Sequence, residues 1–212
     1  MTRPGKFTPI SRRVKGRTPS SEVEQAIVDA AEHLLVHEGP DALTVRGIAT
    51  TAGVAPMSVY NHLGGKQGVL DALLVRAFDG LSAALDDIAS DDPYEDVLES
   101  GRRYRQFARE HPQHYALIFQ RSVPDYEPSV DALEHAHGTF RSLETLVRRA
   151  QSAGVVVEGD PAEIAQRLWS TCHGSVSLEL AGISFCEDTL ASQDATAETL
   201  LRGLRPDPAT AD

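Results

Sequence analysis

The sequence has few of the features that mark secreted, membrane-spanning or sheet-built proteins. Its two cysteines, Cys172 and Cys186, cannot build a disulfide framework, and both are expected to be buried apolar packing in a reducing cytoplasm. No stretch approaches the ~18 consecutive apolar residues of a transmembrane helix, so no membrane is expected as partner. The N-terminus is basic but no apolar core follows it, which argues against a secretory signal and for a cytoplasmic location. Alternating Val/Ile/Thr runs are missing; Val155-Val156-Val157 is the only strand-like run and is too short to found a sheet. No G-x-S-x-G, Walker A or dinucleotide fingerprint occurs, so no catalytic residues are assigned and no cofactor is expected. His111 and His114, His135 and His137, and Cys172 beside His173 lack metal-finger spacing, which leaves no candidate metal site. The carboxylates are expected on solvated helix exteriors.

Charge is unevenly placed. The formal net charge is −11, yet residues 1–20 carry Arg3, Lys6, Arg12, Arg13, Lys15 and Arg17 and no acid, a local +6. The other 192 residues hold 14 basic and 31 acidic side chains, or −17. A basic arm on an acidic body suits an anionic partner met from one end, although a merely solubilising tail would look the same.

With 41% hydrophobic residues the chain can bury a core. Its periodicity is helical, and the expected fold is all-α with about nine helices. Residues 1–19, with three prolines and two glycines, read as a disordered arm. A first helix spans about 20–38, with Ser20 or Ser21 as cap and Glu24 completing a capping box, and stops at Gly39-Pro40. Two short helices follow, 44–51 and 56–63, then a long one over 66–89. Asp92-Pro93-Tyr94-Glu95 opens a fifth to about His111; a sixth ends near Arg121. Glu127-Pro128 opens a seventh, Asp160-Pro161-Ala162-Glu163 an eighth to about Phe185, and a ninth covers 193–204. The domain boundaries expected are an arm (1–19), a three-helix head (20–66), a helical body (67–205) and a flexible tail (206–212).

The second and third helices, joined by Ala52-Gly53-Val54-Ala55, have the form of a helix-turn-helix. Val45, Ile48, Ala49, Ala52, Val54, Val59 and Leu63 give them an inner face. Pro56, Met57, Ser58, Tyr60, Asn61 and His62 are left outward on the third helix, which a DNA major groove could admit. From Ala42 through Leu70 there is no Asp or Glu, as a phosphate-facing surface requires. Lys66 sits at the start of the fourth helix, where a cation opposes the helix dipole at a cost of about 0.3–1 kcal/mol. A DNA phosphate at that helix end would supply the anion, which Lys66 and the free backbone N–H groups would bind together; a solvated surface lysine is the competing reading.

The run T-x3-IA-x2-AGV-x5-Y-x2-L-x2-K, from Thr44 to Lys66, resembles the DNA-binding domain of the TetR (tetracycline repressor) family of bacterial regulators, over about residues 20–75. The resemblance implies that Thr44 and Arg46 contact the DNA backbone, that Met57 and Ser58 face base edges, and that Tyr60, His62 and Lys66 hold phosphates. Three positions depart from the family pattern: Ala55 replaces a capping Ser, Pro56 stands where a base-reading Arg or Lys is common, and Leu63 follows His62 in place of an aromatic. Fewer direct base bonds are therefore expected, with weight shifted to Asn61, Tyr60 and the arm residues Arg12, Arg13, Lys15 and Arg17.

Farther on, Trp169, His173 and Gly174 are similar to the W-x3-H-G run of one C-terminal subclass of that family. The resemblance implies a ligand-binding and dimerising body whose last two helices pair across a homodimer. Trp169 and His173 share a helix face; Tyr104, Phe107, Tyr115, Phe119 and Phe140 come from other helices, and together these are the candidate pocket. A plain aromatic core is the competing reading residue by residue. Gly174 would permit close helix approach, within the body or across a dimer. The function implied is a DNA-binding transcriptional regulator, a repressor released from a pseudo-palindromic operator by a small-molecule effector. A helical small-molecule or metal-binding enzyme with an incidental head, and a ligand-independent architectural DNA binder, are the alternatives.

Overall fold

The structure is a computed structural model and describes residues 19–206, so the arm residues Arg12, Arg13, Lys15 and Arg17 lie outside it, as does the tail beyond 206. Among the described residues there are nine α-helices and no strand. They are α1 (Ser20–Glu38), α2 (Val45–Ala52), α3 (Pro56–Leu63), α4 (Lys66–Leu85), α5 (Pro93–Glu110), α6 (Pro112–Phe119), α7 (Val130–Ser152), α8 (Pro161–Leu180) and α9 (Thr189–Gly203), with a 3₁₀ turn at Pro40–Ala42. The helices group into two compact units. Residues 19–77 and Gln113–Leu133 make one; Phe78–Pro112 and residues 134–206 make the other. Helix α4 is continuous from Lys66 in the first unit to Leu85 in the second.

Within the first unit, Ile27, Ala30, Ala31, Leu34 and Leu35 of α1 are buried, as are Ile48, Ala49 and Ala52 of α2, Val59 of α3, and Val69, Leu70, Leu73 and Leu74 of α4. Each fully buried Leu or Ile contributes about 1.5–3 kcal/mol of transfer free energy, so this shared core holds the short helices α2 and α3, which propensity alone would not. Glu32 of α1 ties in α4 and α6, with its carboxylate 2.5 Å from Arg76 Nη1 and 3.0 Å from His114 Nε2. These contacts, with His114 foremost, lower its pKa to about 2 against the opposing effect of burial.

The second unit packs Val97 and Leu98 of α5, Val147 and Ala150 of α7, Ile164, Ala165 and Leu168 of α8, and Ala197 and Leu201 of α9 into one core. Val155–Val157 makes no strand: the Val155 N–H bonds back to Ala150 O, and the Val157 N–H donates to Leu204 O at 2.7 Å.

Asp side chains set several helix starts. Asp92 accepts from the backbone N–H groups of Tyr94 and Glu95, Asp160 from Ala162, and Asp188 from Ala191. Asp188 is why α9 begins at Thr189, four residues before the expected 193. Other expectations are also corrected. Helix α1 has Pro19 at its N-cap without a side-chain bond; Ser20 Oγ donates to the Glu24 carboxylate instead. Helix α4 ends at Leu85, short of 89, and the chain then reverses through Asp87 at φ 60°. Helix α6 ends at Phe119, not Arg121. Helix α7 starts at Val130, with Ser129 Oγ accepting from the Ala132 N–H, and α8 ends at Leu180, not Phe185. Cys186 is exposed rather than packed, while burial pushes the Cys172 thiol up to about 11. The carboxylates are not all solvated: Asp96 is 3% exposed, bonded to Ser90 and to Arg149 Nη1 at 2.5 Å.

Candidate nucleic-acid interface

Thr44 caps α2 by accepting from the Gly47 N–H at 3.0 Å. Gly53, in the left-handed conformation, ends α2, and the Val54 N–H closes the turn on Ala49 O. Pro56 occupies the first position of α3. Ala55 gives no side-chain cap, and its carbonyl receives the Ser58 N–H at 2.8 Å. The inner face rests on Ile48, Ala49, Ala52 and Val59; Val45, Val54 and Leu63 are half-buried.

The outer face of α3 presents Pro56, Met57, Tyr60 and Asn61, with Ser58 half-buried. Met57 is 63% and Tyr60 53% exposed, a large apolar area to leave in water on an eight-residue helix. Thr44, Arg46 and Lys66 are exposed as well. His62 points to the start of α1, with its Nδ1 3.0 Å from Ser20 Oγ and 3.5 Å from the Glu24 carboxylate. A partner for His62 on α1 could not be read from spacing. The contact puts the attachment point of the basic arm beside α3.

The junction of α3 and α4 is tight. A Cβ on Gly68 would lie 1.7 Å from the Leu63 carbonyl oxygen, so only glycine lets the first turn of α4 abut the last turn of α3. Gly65, at φ 101°, carries the Tyr60 ring 3.0 Å from where its Cβ would be. The first turns of α2, α3 and α4 contain no acidic residue, and Lys66 opens α4. The N–H groups of a helix's first turn have no intrahelical partner and carry the positive end of its dipole. Cation, free donors and dipole thus meet at one corner that suits a phosphate.

In the second unit, the Tyr104 hydroxyl lies 2.8 Å from His173 Nδ1, and Trp169 stands between His173 and Phe140 at ring-centroid distances of 5.6 and 6.2 Å. Burial lowers the pKa of His173. Phe107 is buried and pairs with His111. Tyr115 and Phe119 belong to the first unit, where they pair with each other. Gly174 is exposed and no neighbour within the chain approaches its Cβ position. Helices α8 and α9 flank an open groove lined by Arg167, Thr171, Ala195, Thr199 and Gly203, which no sequence pattern signals. Arg105 of α5, 9% exposed at its side chain, forks onto Glu179 of α8, a pairing 74 residues apart that no local spacing announces.

Residues 97–204 match the family model described as the tetracyclin repressor-like C-terminal domain, and residues 27–73 that of bacterial regulatory proteins of the tetR family. The chain belongs to the TetR family of transcriptional regulators. It is 28% identical over 173 residues to the HTH-type transcriptional regulator Rv0681 of Mycobacterium tuberculosis, a match covering 81% of this chain and 76% of that one. A solved structure from Rhodococcus sp. RHA1, of a protein with unknown function, superposes with a TM-score of 0.77 at 27% identity, covering 87% of this chain and 96% of that one. The TetR family transcriptional regulator PfmR from Thermus thermophilus shares the fold, with a TM-score of 0.62 at 20% identity over 85% and 96% of the two chains. The TetR-family head is therefore a helix-turn-helix DNA-binding domain, and α3 is its second helix. The expected Trp169-His173-Gly174 run lies within the part matched to the C-terminal family model. No helix among the described residues is long and apolar enough to cross a membrane.

Proposed function

We propose that this TetR-family regulator is a cytoplasmic, homodimeric repressor that leaves a pseudo-palindromic operator when a small molecule binds its second unit. One observation carries the DNA reading: Lys66, the acid-free start of α4 and the exposed Tyr60 form one corner beside the outward face of α3. Lys66, Tyr60, Thr44 and Arg46 hold phosphates; Met57, Ser58 and Asn61 face bases; Arg12, Arg13, Lys15 and Arg17 add charge from the arm. His62 holds α3 to α1 through Ser20 and Glu24, and its phosphate contact is secondary to that.

Dimerisation through α8 and α9 is supported by what they leave exposed. Phe185 is fully solvent-exposed, Ile183 53% and Leu178 50%, a run of apolar surface at the α8–α9 corner that a second copy would cover. The effector site is the Tyr104–His173–Trp169–Phe140 cluster with Phe107, an aromatic wall carrying a polar pair. Continuous α4 then links effector binding to the head, and differential affinity for two head spacings makes the effector a switch.

Analytical ultracentrifugation of the full chain with and without an operator duplex tests the assembly. Two chains per duplex are expected, and a single chain bound per site contradicts the dimeric reading. Trp169→Ala and His173→Ala should change release by effector and leave effector-free DNA binding within about twofold, as separated sites do.

A further inference from the structure

The acid-free window of the head closes at Asp71, and that carboxylate has a defined use. Its Oδ1 accepts the Tyr126 hydroxyl at 2.8 Å and the Ser129 backbone N–H at 3.1 Å. One turn earlier, the Gln67 side-chain amide donates to the Asp125 carbonyl oxygen at 3.1 Å. The segment between α6 and α7 is thus tied at three points to the first two turns of α4, all within the first unit. Val123, 3% exposed, anchors it by burial. Burial and the Asp71 carboxylate push the Tyr126 phenol up from its ordinary pKa, so it remains a hydrogen-bond donor.

The segment is also strained. Arg121 at φ 47° and Asp125 at φ 59° are non-glycine residues in the left-handed region. Such conformations persist where the surroundings over-determine them, and they cluster at working parts of proteins. Here the surroundings include Gln67 and Asp71. Gln67 directly follows Lys66, so whatever holds Gln67 and Asp71 also fixes the helix end that Lys66 occupies.

We propose that Tyr126 and Asp71 are positioning residues for DNA binding. The 120–129 segment is a latch on the first turns of α4, and it keeps Lys66 where it meets phosphate. The proposal rests on Lys66 as a phosphate ligand. A latch that served stability alone would shift the unfolding midpoint without changing the operator affinity of folded protein.

The test is operator binding by the full chain, followed by fluorescence anisotropy over a salt series, for Tyr126→Phe, Asp71→Asn, Lys66→Ala and the Tyr126→Phe/Lys66→Ala double variant, with urea midpoints measured alongside. Tyr126→Phe should bind about threefold to tenfold more weakly, the scale of one ordinary intramolecular hydrogen bond. Asp71→Asn, which keeps an oxygen for Tyr126 and Ser129, should bind at least as tightly as wild type. With Lys66→Ala already present, Tyr126→Phe should cost less than about twofold, because coupled residues are not additive. If Tyr126→Phe matches wild type while Lys66→Ala binds weakly, the latch is overturned and the phosphate reading stands. If the Tyr126→Phe loss is equal in both backgrounds, the latch does not act through Lys66 and the proposal fails. If Lys66→Ala leaves affinity and salt slope unchanged, the phosphate reading falls and the latch, as stated, falls with it.

Discussion

The Tyr104 hydroxyl and His173 Nδ1 are 2.8 Å apart in a half-buried setting beside Trp169, and this pair gives the second unit a polar contact within an aromatic cluster. Burial disfavours the imidazolium, so the pKa of His173 is lowered in the folded state. A group with a depressed folded pKa stabilises the fold above its unfolded pKa, and that stability is lost as pH falls through about 6.5 toward the folded value. The urea midpoint should therefore drop more between pH 7.5 and 5.5 for wild type than for His173→Gln. Equal drops would show that His173 is protonated as readily in the fold as out of it.

Glu32 makes a second pH-dependent contribution, at lower pH. Its folded pKa of about 2 lies below the usual carboxylate range, so its stabilisation is complete near neutrality and disappears as pH falls from about 4.5 toward 2. Glu32→Gln should cost on the order of 2 kcal/mol at pH 7, discounted for a side chain 30% exposed, and should flatten the acid limb of the stability curve. A variant with the wild-type acid limb would contradict the assignment.

Gly68→Ala should loosen the junction of α3 and α4. The added Cβ meets the Leu63 carbonyl oxygen, a backbone atom that cannot rotate away. Overpacking of this kind costs about 1–3 kcal/mol, and here the upper end is expected. Operator affinity should fall together with the stability of the head. Unchanged binding at wild-type stability would mean that the α3–α4 junction is looser than the geometry requires.

Removing residues 1–18 removes six positive charges. If the arm tracks phosphates, the variant should bind operator more weakly, and the slope of log affinity against log salt should fall by about 0.9 for each phosphate no longer neutralised. Equal affinity at low salt would show the arm to be idle.

Most of the head is legible from sequence because its signals are local. Thr44, Gly53, Pro56 and Gly64 fix where α2 and α3 start and stop within a few residues of themselves, and the absent acids can be read from residues 42–70 directly. The partners of His62 and Asp71 are not legible. Glu24 lies 38 residues from His62 and Tyr126 lies 55 from Asp71, and a single sequence carries no trace of such pairings. Helix ends differ from expectation where capping residues compete. Glu127-Pro128 and Ser129 both offer a start for α7, and the Ser129 hydroxyl takes it. The part-buried pairs Asp96–Arg149 and Arg105–Glu179 look like solvated charge in the sequence because each residue alone sits in a polar pattern; only packing shows that Asp96 and Arg105 face inward.

The most direct test of the DNA-reading surface is selection of bound duplexes from a random-sequence pool by the full chain at physiological salt, repeated with Met57→Ala and Asn61→Ala. A pseudo-palindrome should be enriched, with half-sites one helical turn or a multiple of about 10–10.5 base pairs apart. Each variant should relax the preference at particular positions within both half-sites. Enrichment of no motif, or an identical motif from all three proteins, would contradict base reading by the outward face of α3.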